Sequence, residues 1–188
     1  EGGKAAADIL FGKKAPTGKL PITLYKDLED LPEFTDYSMK GRTYRYYAGE
    51  PMYPFGFGLT YGTLSMVKMH KKADLAKAEK SGVLYEATLK NDSKQAVTET
   101  LQAYIRMEHT DNEVLNHRLC AFKRVTLKAG ETRTVNLKLP KEAFRVINAD
   151  GEAVPEGSQA KISIGFGQPD RRTRKLMHGK YILEDMIK

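Results

Sequence analysis

The chain has 188 residues, of which 40% are hydrophobic and 29% are charged, and it contains no tryptophan. These proportions are typical of a globular protein of one or two domains. No apolar run approaches the roughly 20 residues that a membrane-spanning helix needs, so we expect no membrane partner. The net charge is +7, but most of it is scattered along strand-like segments. The one dense group, residues 171–175, is interpreted as a solvated loop, and we expect no nucleic-acid partner.

The first 33 residues predict one helix and one strand. Residues 3–11 favour a helix, and Gly12 follows them as a C-terminal cap. The nearly continuous apolar run Leu20–Tyr25 then predicts a strand buried in a helix-flanked sheet. Because one helix and one strand cannot enclose a core, we interpret residues 1–33 as the C-terminal remnant of an α/β domain. We expect this segment to dock on the rest of the chain or on a second copy.

Residues 34–62 concentrate the aromatic side chains. Nine of them lie between Phe34 and Tyr61, in a chain with 10 tyrosines and 7 phenylalanines. Proline and glycine interrupt this linker too often for a helix or a long strand, so its rings must pack against a domain or a ligand. We favour an interface between domains and leave direct contact with sugar open. The predicted interface residues are Arg42, Tyr44, Tyr46, Tyr47, Tyr53, Phe55, Phe57 and Tyr61.

Residues 63–188 alternate between short strand patterns and turn signals, which predicts a β-sandwich. In residues 132–139, for example, Val135, Leu137 and Leu139 share one face. A polar helix over residues 73–80 is predicted as a short decoration between the first two strands. The predicted strands are Leu64–Met69, Gly82–Lys90, Thr98–Met107, Cys120–Leu127, Arg133–Leu139, Phe144–Asn148, Lys161–Phe166 and Lys180–Leu183.

Side chains able to carry chemistry are few and scattered. Cys120 is flanked by apolar residues and is interpreted as a small buried residue rather than a nucleophile. The histidines have no spacing typical of metal ligands, so we expect surface-loop histidines and neither a metal nor a cofactor; they are His70, His109, His117 and His178. The acidic group near the linker is interpreted as solvated; it comprises Glu29, Asp30, Glu33 and Asp36.

Three groups of motifs carry a resemblance to one family. They are Ala6–Gly12 (AADILFG) with Pro16–Thr23 (PTGKLPIT), Gly41–Tyr47 (GRTYRYY) with Tyr53–Tyr61 (YPFGFGLTY), and Phe122–Val135 (FKRVTLKAGETRTV). In this order they resemble the end of the α/β sandwich domain, the linker and the fibronectin type III-like domain of family 3 glycoside hydrolases, the β-glucosidases and β-xylosidases. The resemblance covers nearly the whole chain.

The resemblance implies a mainly β fold: an immunoglobulin-like or fibronectin type III-like sandwich over residues 63–188, preceded by the remnant and the linker. It also implies a retaining β-glycosidase, which uses one nucleophilic and one acid/base carboxyl group. In the family, both groups lie upstream of the regions that this chain resembles. We therefore expect no catalytic residue here, and expect the chain alone to be inactive.

The expected partners are the upstream catalytic domains of a parent chain and, through them, a β-linked oligosaccharide with terminal glucose or xylose. A homodimer of the chain is a further expectation. By family analogy, the parent is expected to be secreted or periplasmic. Two alternatives stay open: a carbohydrate-binding or interaction module, and a polyanion-binding protein that uses residues 171–175. The sequence leaves the choice between glucoside and xyloside open.

Overall fold

Two antiparallel sheets form most of the fold in the computed structural model, which describes residues 1–71, 73–112, 115–177 and 181–188. One sheet has the strand order β1-β2-β5, and the other has the order β4-β3-β8-β9. A small separate hairpin pairs β6 with β7. The strands are β1 (Leu64–Lys71), β2 (Val83–Asn91), β3 (Val97–Glu108), β4 (Arg118–Leu127), β5 (Thr132–Leu139), β6 (Val146–Ile147), β7 (Ala153–Val154), β8 (Gln159–Gly165) and β9 (Ile182–Ile187). The predicted β-sandwich is confirmed.

The core lies between the two sheets and follows the alternation of the strands. In β5, Val135, Leu137 and Leu139 are buried and the residues between them are exposed, as predicted. Strand β3 is hydrogen-bonded on both sides, to β4 and β8, so it lies inside its sheet. The largest side chains with almost no exposure include Tyr85, Tyr104, Phe144, Phe166 and Met66. Burial of such apolar area is the main stabilising term of a fold of this kind.

The described part of the chain contains four short α-helices: α1 (Gly2–Leu10), α2 (Thr43–Tyr46), α3 (Leu75–Ser81) and α4 (Arg171–Leu176). Helix α1 ends as predicted, because Gly12 has φ 70° and its N–H donates to the carbonyl of Ile9. Helix α3 begins at Asp74, whose carboxylate accepts from the N–H of Lys77. The predicted helix between the first two strands is confirmed, but it is more than a polar decoration, because Leu75 and Ala78 are buried against the sandwich.

Two predicted strands differ from the structure. Residues Leu20–Tyr25 form no strand of a sheet: the segment makes one isolated bridge, between Leu24 and Tyr53, and none of residues 1–33 is buried. A buried strand needs paired neighbours on both sides, and this segment has a neighbour on one side only. The predicted strand Phe144–Asn148 shrinks to β6, because residues 141–144 turn into a 3-10 helix that buries Phe144.

The basic cluster at residues 171–175 is a helix and not the predicted loop, although Arg171, Arg174 and Lys175 are exposed as predicted. Residues 171–176 form α4, which begins where the carboxylate of Asp170 accepts from the N–H of Thr173 at 2.9 Å. An aspartate at this position satisfies an N–H that the helix leaves unpaired. The last predicted strand is found two residues later, as β9, and Lys180 lies outside the described residues.

Candidate functional site at the linker

The linker folds back along the first segment and pairs with it through main-chain hydrogen bonds. Leu20 and Leu24 donate to the carbonyls of Phe57 and Tyr53, both at 2.9 Å. In return, the carbonyl of Leu20 accepts from Gly56 at 2.8 Å and that of Leu24 accepts from Met52 at 2.9 Å. The segment predicted as a strand is therefore extended, but its partner is the linker rather than another strand of an α/β sheet.

Tyr44 of the predicted interface contacts the sandwich directly, and Phe55 packs on Tyr44. The rings of Tyr44 and Phe55 are stacked, with centroids 4.1 Å apart and planes at 8°. The edge of Tyr44 also meets Tyr104 of β3, at 6.4 Å between centroids. The hydroxyl of Tyr44 accepts a hydrogen bond from the N–H of Leu119 at 3.0 Å. Stacked and edge-on pairs add about 0.5–1.5 kcal/mol beyond the burial of area, so these rings fix the linker to β3 and β4.

Other interface residues face the first segment. Tyr47 is buried and meets Tyr25 edge-on, with centroids 4.9 Å apart. Burial is the main reason that the pKa of Tyr47 is raised to about 12. The hydroxyl of Tyr61 donates to the carbonyl of Ile9 at 2.9 Å, at the end of α1. The linker rings therefore divide between two neighbours, the sandwich on one side and residues 1–33 on the other.

The remaining predicted interface residues are placed less centrally. Tyr53 stacks on the buried Phe57 with centroids 5.7 Å apart, and keeps part of its surface exposed. Tyr46, in α2, is half-buried. The guanidinium of Arg42 donates to the main-chain carbonyls of Ser38, Glu33 and Asp36, so it organises the loop before α2 instead of contacting the sandwich.

Gly56 explains how the linker approaches the sandwich so closely. Its φ is 76°, and a Cβ at this position would lie 2.3 Å from the hydroxyl oxygen of Tyr104 and 2.4 Å from Oε1 of Gln102. The space is used by hydrogen bonds: Gln102 donates to the carbonyl of Gly56 at 2.9 Å, and Tyr104 donates to Gln102 at 2.6 Å. Only glycine combines this backbone conformation with this contact.

A buried ion pair also joins the first segment to the sandwich. The ammonium of Lys19 lies 2.9 Å from the carboxylate of Glu99, and their side chains are 11% and 6% exposed. Lys19 donates further to the carbonyl of Gly58 at 2.9 Å. Burial lowers the pKa of Lys19, and Glu99 partly opposes this shift. Sequence reasoning missed the pair, although the alternation of β3 already places Glu99 on the buried face with Val97 and Leu101.

A cavity of about 490 Å³ opens between the linker, the start of β4 and α4. The side-chain N–H₂ of Asn116 holds one wall by donating to the carbonyls of Tyr44 and Tyr47, at 2.9 and 2.8 Å. The opposite wall is closed by ion pairs of Glu50 with Lys175 at 2.7 Å and with Arg172 at 3.9 Å. Arg171 and Arg172 of the basic cluster thus line this cavity, and Arg172 and Lys175 pair with Glu50 of the linker.

Cys120 and the histidines are the remaining candidates for chemistry. Among the described residues, no group of three or more His, Cys, Asp or Glu side chains is arranged to hold a metal ion. Burial raises the pKa of Cys120 to about 12, and its thiol donates to the carbonyl of Ala103. His117 is not a surface-loop residue as predicted: it is half-buried, and burial lowers its pKa to about 4. His70 and His109 are exposed, and His178 lies outside the described residues.

Two known protein-family models match the two parts of this chain. Residues 1–61 match the glycosyl hydrolase family 3 C-terminal domain, and residues 99–168 match the fibronectin type III-like domain. The chain belongs to glycoside hydrolase family 3. Within the described residues, none of the helices of this family 3 chain has the length and apolar character needed to span a lipid bilayer.

The family 3 relatives are much longer than this chain. A xylan 1,4-beta-xylosidase of Xylanibacter ruminicola is 38% identical over 180 residues, which are 94% of this chain and 20% of that protein. A periplasmic beta-glucosidase of Salmonella typhimurium is 29% identical over 88% of this chain and 23% of its own length. The structure of a β-glucosidase from Erythrobacter marinus superimposes with a TM-score of 0.76 at 26% identity, over 100% of this chain and 23% of the other. The chain therefore spans about a fifth of the length of these relatives.

Proposed function

We propose that this chain is the C-terminal structural portion of a retaining β-glycosidase that releases terminal β-linked xylose or glucose. In this proposal the chain holds the linker and the sandwich in a fixed position beside the catalytic domains, and supplies neither catalytic carboxyl group. The observation that carries it is the two-sided packing of the linker. Its rings and main chain bind residues 1–33 on one side and β3 and β4 on the other.

The same proposal includes the domain boundaries, the contacts with the rest of the parent chain and its cellular location. We propose a remnant of the α/β domain over residues 1–33, a linker over 34–62 and a sandwich over 63–188. Leu10, Phe11 and Leu28 of the remnant are largely exposed, which supports contact with further parts of a parent chain. We place the parent outside the cytoplasm, in the periplasm or secreted, because the Salmonella relative is named as periplasmic.

A chimera tests the proposal. The segment of the Xylanibacter β-xylosidase that aligns with this chain is replaced by these 188 residues, and hydrolysis of nitrophenyl β-xyloside is measured. We expect the chimera to keep most of the activity, the enzyme truncated before this segment to lose it, and this chain alone to have none. Hydrolysis by the chain alone, or full activity of the truncated enzyme, would contradict the proposal. Parallel assays with nitrophenyl β-glucoside on the natural parent choose between the two sugars.

A second candidate function is a carbohydrate-binding module, and one observation favours it. The cavity beside the linker is lined by polar side chains and by rings, which is the composition of a site for a hydroxyl-rich ligand. This function is compatible with the structural one, because the linker that packs against the sandwich also lines the cavity.

A further inference from the structure

The cavity contains buried polar atoms that have no hydrogen-bond partner among the described residues. They are Oε1 of Gln168, Nε2 of His117, Oγ1 of Thr23, the hydroxyl of Tyr47 and Nε of Arg106, which forms an ion pair with Glu108 at 4.0 Å; all five residues line the cavity. Gln168 is only 7% exposed. Buried polar groups in native proteins are nearly always hydrogen-bonded, so several unpaired ones around one cavity indicate that a ligand normally supplies the partners.

The charges around the cavity are largely paired already. Glu50 pairs with Lys175 and Arg172, Arg106 pairs with Glu108 at 4.0 Å, and Asp170 accepts from Thr173 at the start of α4. The unpaired atoms on Gln168, His117 and Thr23 belong to uncharged groups, since burial keeps His117 neutral at neutral pH. The side-chain carbonyl oxygen of Gln168 accepts hydrogen bonds, and an anion has no hydrogen to donate to it. The remaining positions therefore suit a neutral ligand that both donates and accepts.

Several rings line the cavity beside these polar atoms. Tyr44 and Tyr47 line one part, and the rings of Pro51 and Pro54 line another. A pyranose has hydroxyl groups that each donate and accept, and C–H faces that pack on rings. A volume of about 490 Å³ is also in the range of small-molecule sites and exceeds that of one sugar ring.

We infer that this cavity is a binding site for a neutral pyranose, as a monosaccharide or as one end of a disaccharide. Gln168 accepts from a sugar hydroxyl, Arg106 donates to one, and Thr23 and His117 complete the set. The inference rests on the proposed function only for the choice of xylose and glucose as the sugars. The aromatic linker thus has a second role, because the segment that joins the two parts of the chain also forms a wall of the site.

The test is a titration of the 188-residue chain with xylose, xylobiose and glucose, monitored by two-dimensional ¹H–¹⁵N NMR. We expect saturable shifts at the amides around the cavity and at the imidazole of His117. Gln168→Leu should weaken binding about tenfold, the loss expected for one hydrogen bond. Gln159→Leu is the matched control, because Gln159 lies on β8 and does not line the cavity, and it should leave the affinity unchanged.

A second variant keeps the inference testable if the first variant does not fold. Thr23→Val keeps the shape of the side chain and removes its hydroxyl, so it should weaken binding in the same direction as Gln168→Leu. Each variant is accepted only with a dispersed spectrum like that of the original chain. Absence of saturable shifts with all three sugars, or equal affinity in both variants and the original, would overturn the inference. Tighter binding of glucuronate than of xylose would also overturn it, because the site would then recognise an anion.

The outcome is separable from that of the chimera. Sugar binding by the chain together with an inactive chimera would retain the site and remove the proposed function. An active chimera together with no sugar binding would support the proposed function and overturn the sugar site. The cavity would then be occupied by another part of the parent chain.

Discussion

The sandwich and the first 33 residues bury their apolar side chains to very different extents. Tyr85 and Phe144 of the sandwich have no exposed surface, whereas Phe11 in the first segment is 81% exposed. The sandwich has two sheets whose faces cover each other. Residues 1–33 have one α-helix, a 3-10 helix at Leu28–Asp30 and an extended segment paired on one side, and none of them is buried.

The first segment is nevertheless held in a defined place by a few polar contacts. Lys19 pairs with Glu99, Tyr61 donates to Ile9, and the guanidinium of Arg124 donates to the hydroxyl of Thr17 at 2.9 Å. The two regions differ in what stabilises them. Area removed from water stabilises the sandwich, and individual hydrogen bonds and one ion pair position the first segment.

The same substitution in the two regions gives the largest expected contrast. Phe144→Ala should lower the free energy of unfolding by about 3–5 kcal/mol, because it leaves a cavity in the core. Phe11→Ala, at an exposed position, should change it by less than about 0.5 kcal/mol. Urea unfolding followed by circular dichroism measures both. Equal losses would mean that the first segment shares the core of the sandwich.

Removing one partner of the buried ion pair tests how strongly the two regions are coupled. Lys19→Met should destabilise the chain by about 3 kcal/mol, because Glu99 is left buried and unpaired. The matched control is Lys90→Met, whose partner Asp92 lies 2.8 Å away at the surface, and it should cost less than about 1 kcal/mol. Thermal unfolding at fixed pH compares them. A Lys19 variant as stable as the control would show that the pair does not couple the regions.

The pH dependence of the free energy of unfolding tests whether His117 is buried in the wall of the cavity. The pKa of His117 is lowered to about 4 from 6.5, so between these values the unfolded chain takes up a proton that the folded chain does not. Stability should therefore fall as the pH drops below 6.5, by about 2 kcal/mol near pH 4.5.

His117→Gln should remove this part of the slope, and His70→Gln, at an exposed position on β1, should keep it. Denaturant unfolding at several pH values from 7 downward measures the three slopes. A slope unchanged by His117→Gln would assign the acid sensitivity to other groups.

The smallest expected effect is local. Tyr61→Phe removes the hydrogen bond from the linker to the carbonyl of Ile9, which should loosen α1 by about 1 kcal/mol. Amide hydrogen exchange at Phe11 and Gly12, whose N–H groups bond within the end of α1, reports this loosening while exchange in the sandwich stays constant. Tyr37→Phe, at an exposed ring, is the control. Unchanged exchange would show that the first segment is held elsewhere.

The features that were correctly predicted depend on neighbours in sequence. The alternation of Val135, Leu137 and Leu139 and the cap at Gly12 depend on periodicity and on one residue's conformation, which short stretches of sequence carry. The incorrect predictions depend on distant partners. Leu20–Tyr25 has the composition of a buried strand but pairs with the linker, and residues 171–175 become a helix that pairs with Glu50. The interface role of the eight linker residues and a homodimer stay predictions.

The sequence alone determined the β-sandwich, the aromatic linker and the resemblance to family 3 glycoside hydrolases, because strand periodicity and a long motif are local properties of a chain. Only the tertiary structure placed Lys19 beside Glu99 and arranged Gln168, His117, Arg106 and Thr23 around one cavity. These residues are far apart in the chain, and no periodicity relates them. They meet because the linker turns back at Gly56 and packs against β3, a contact that depends on the complete fold.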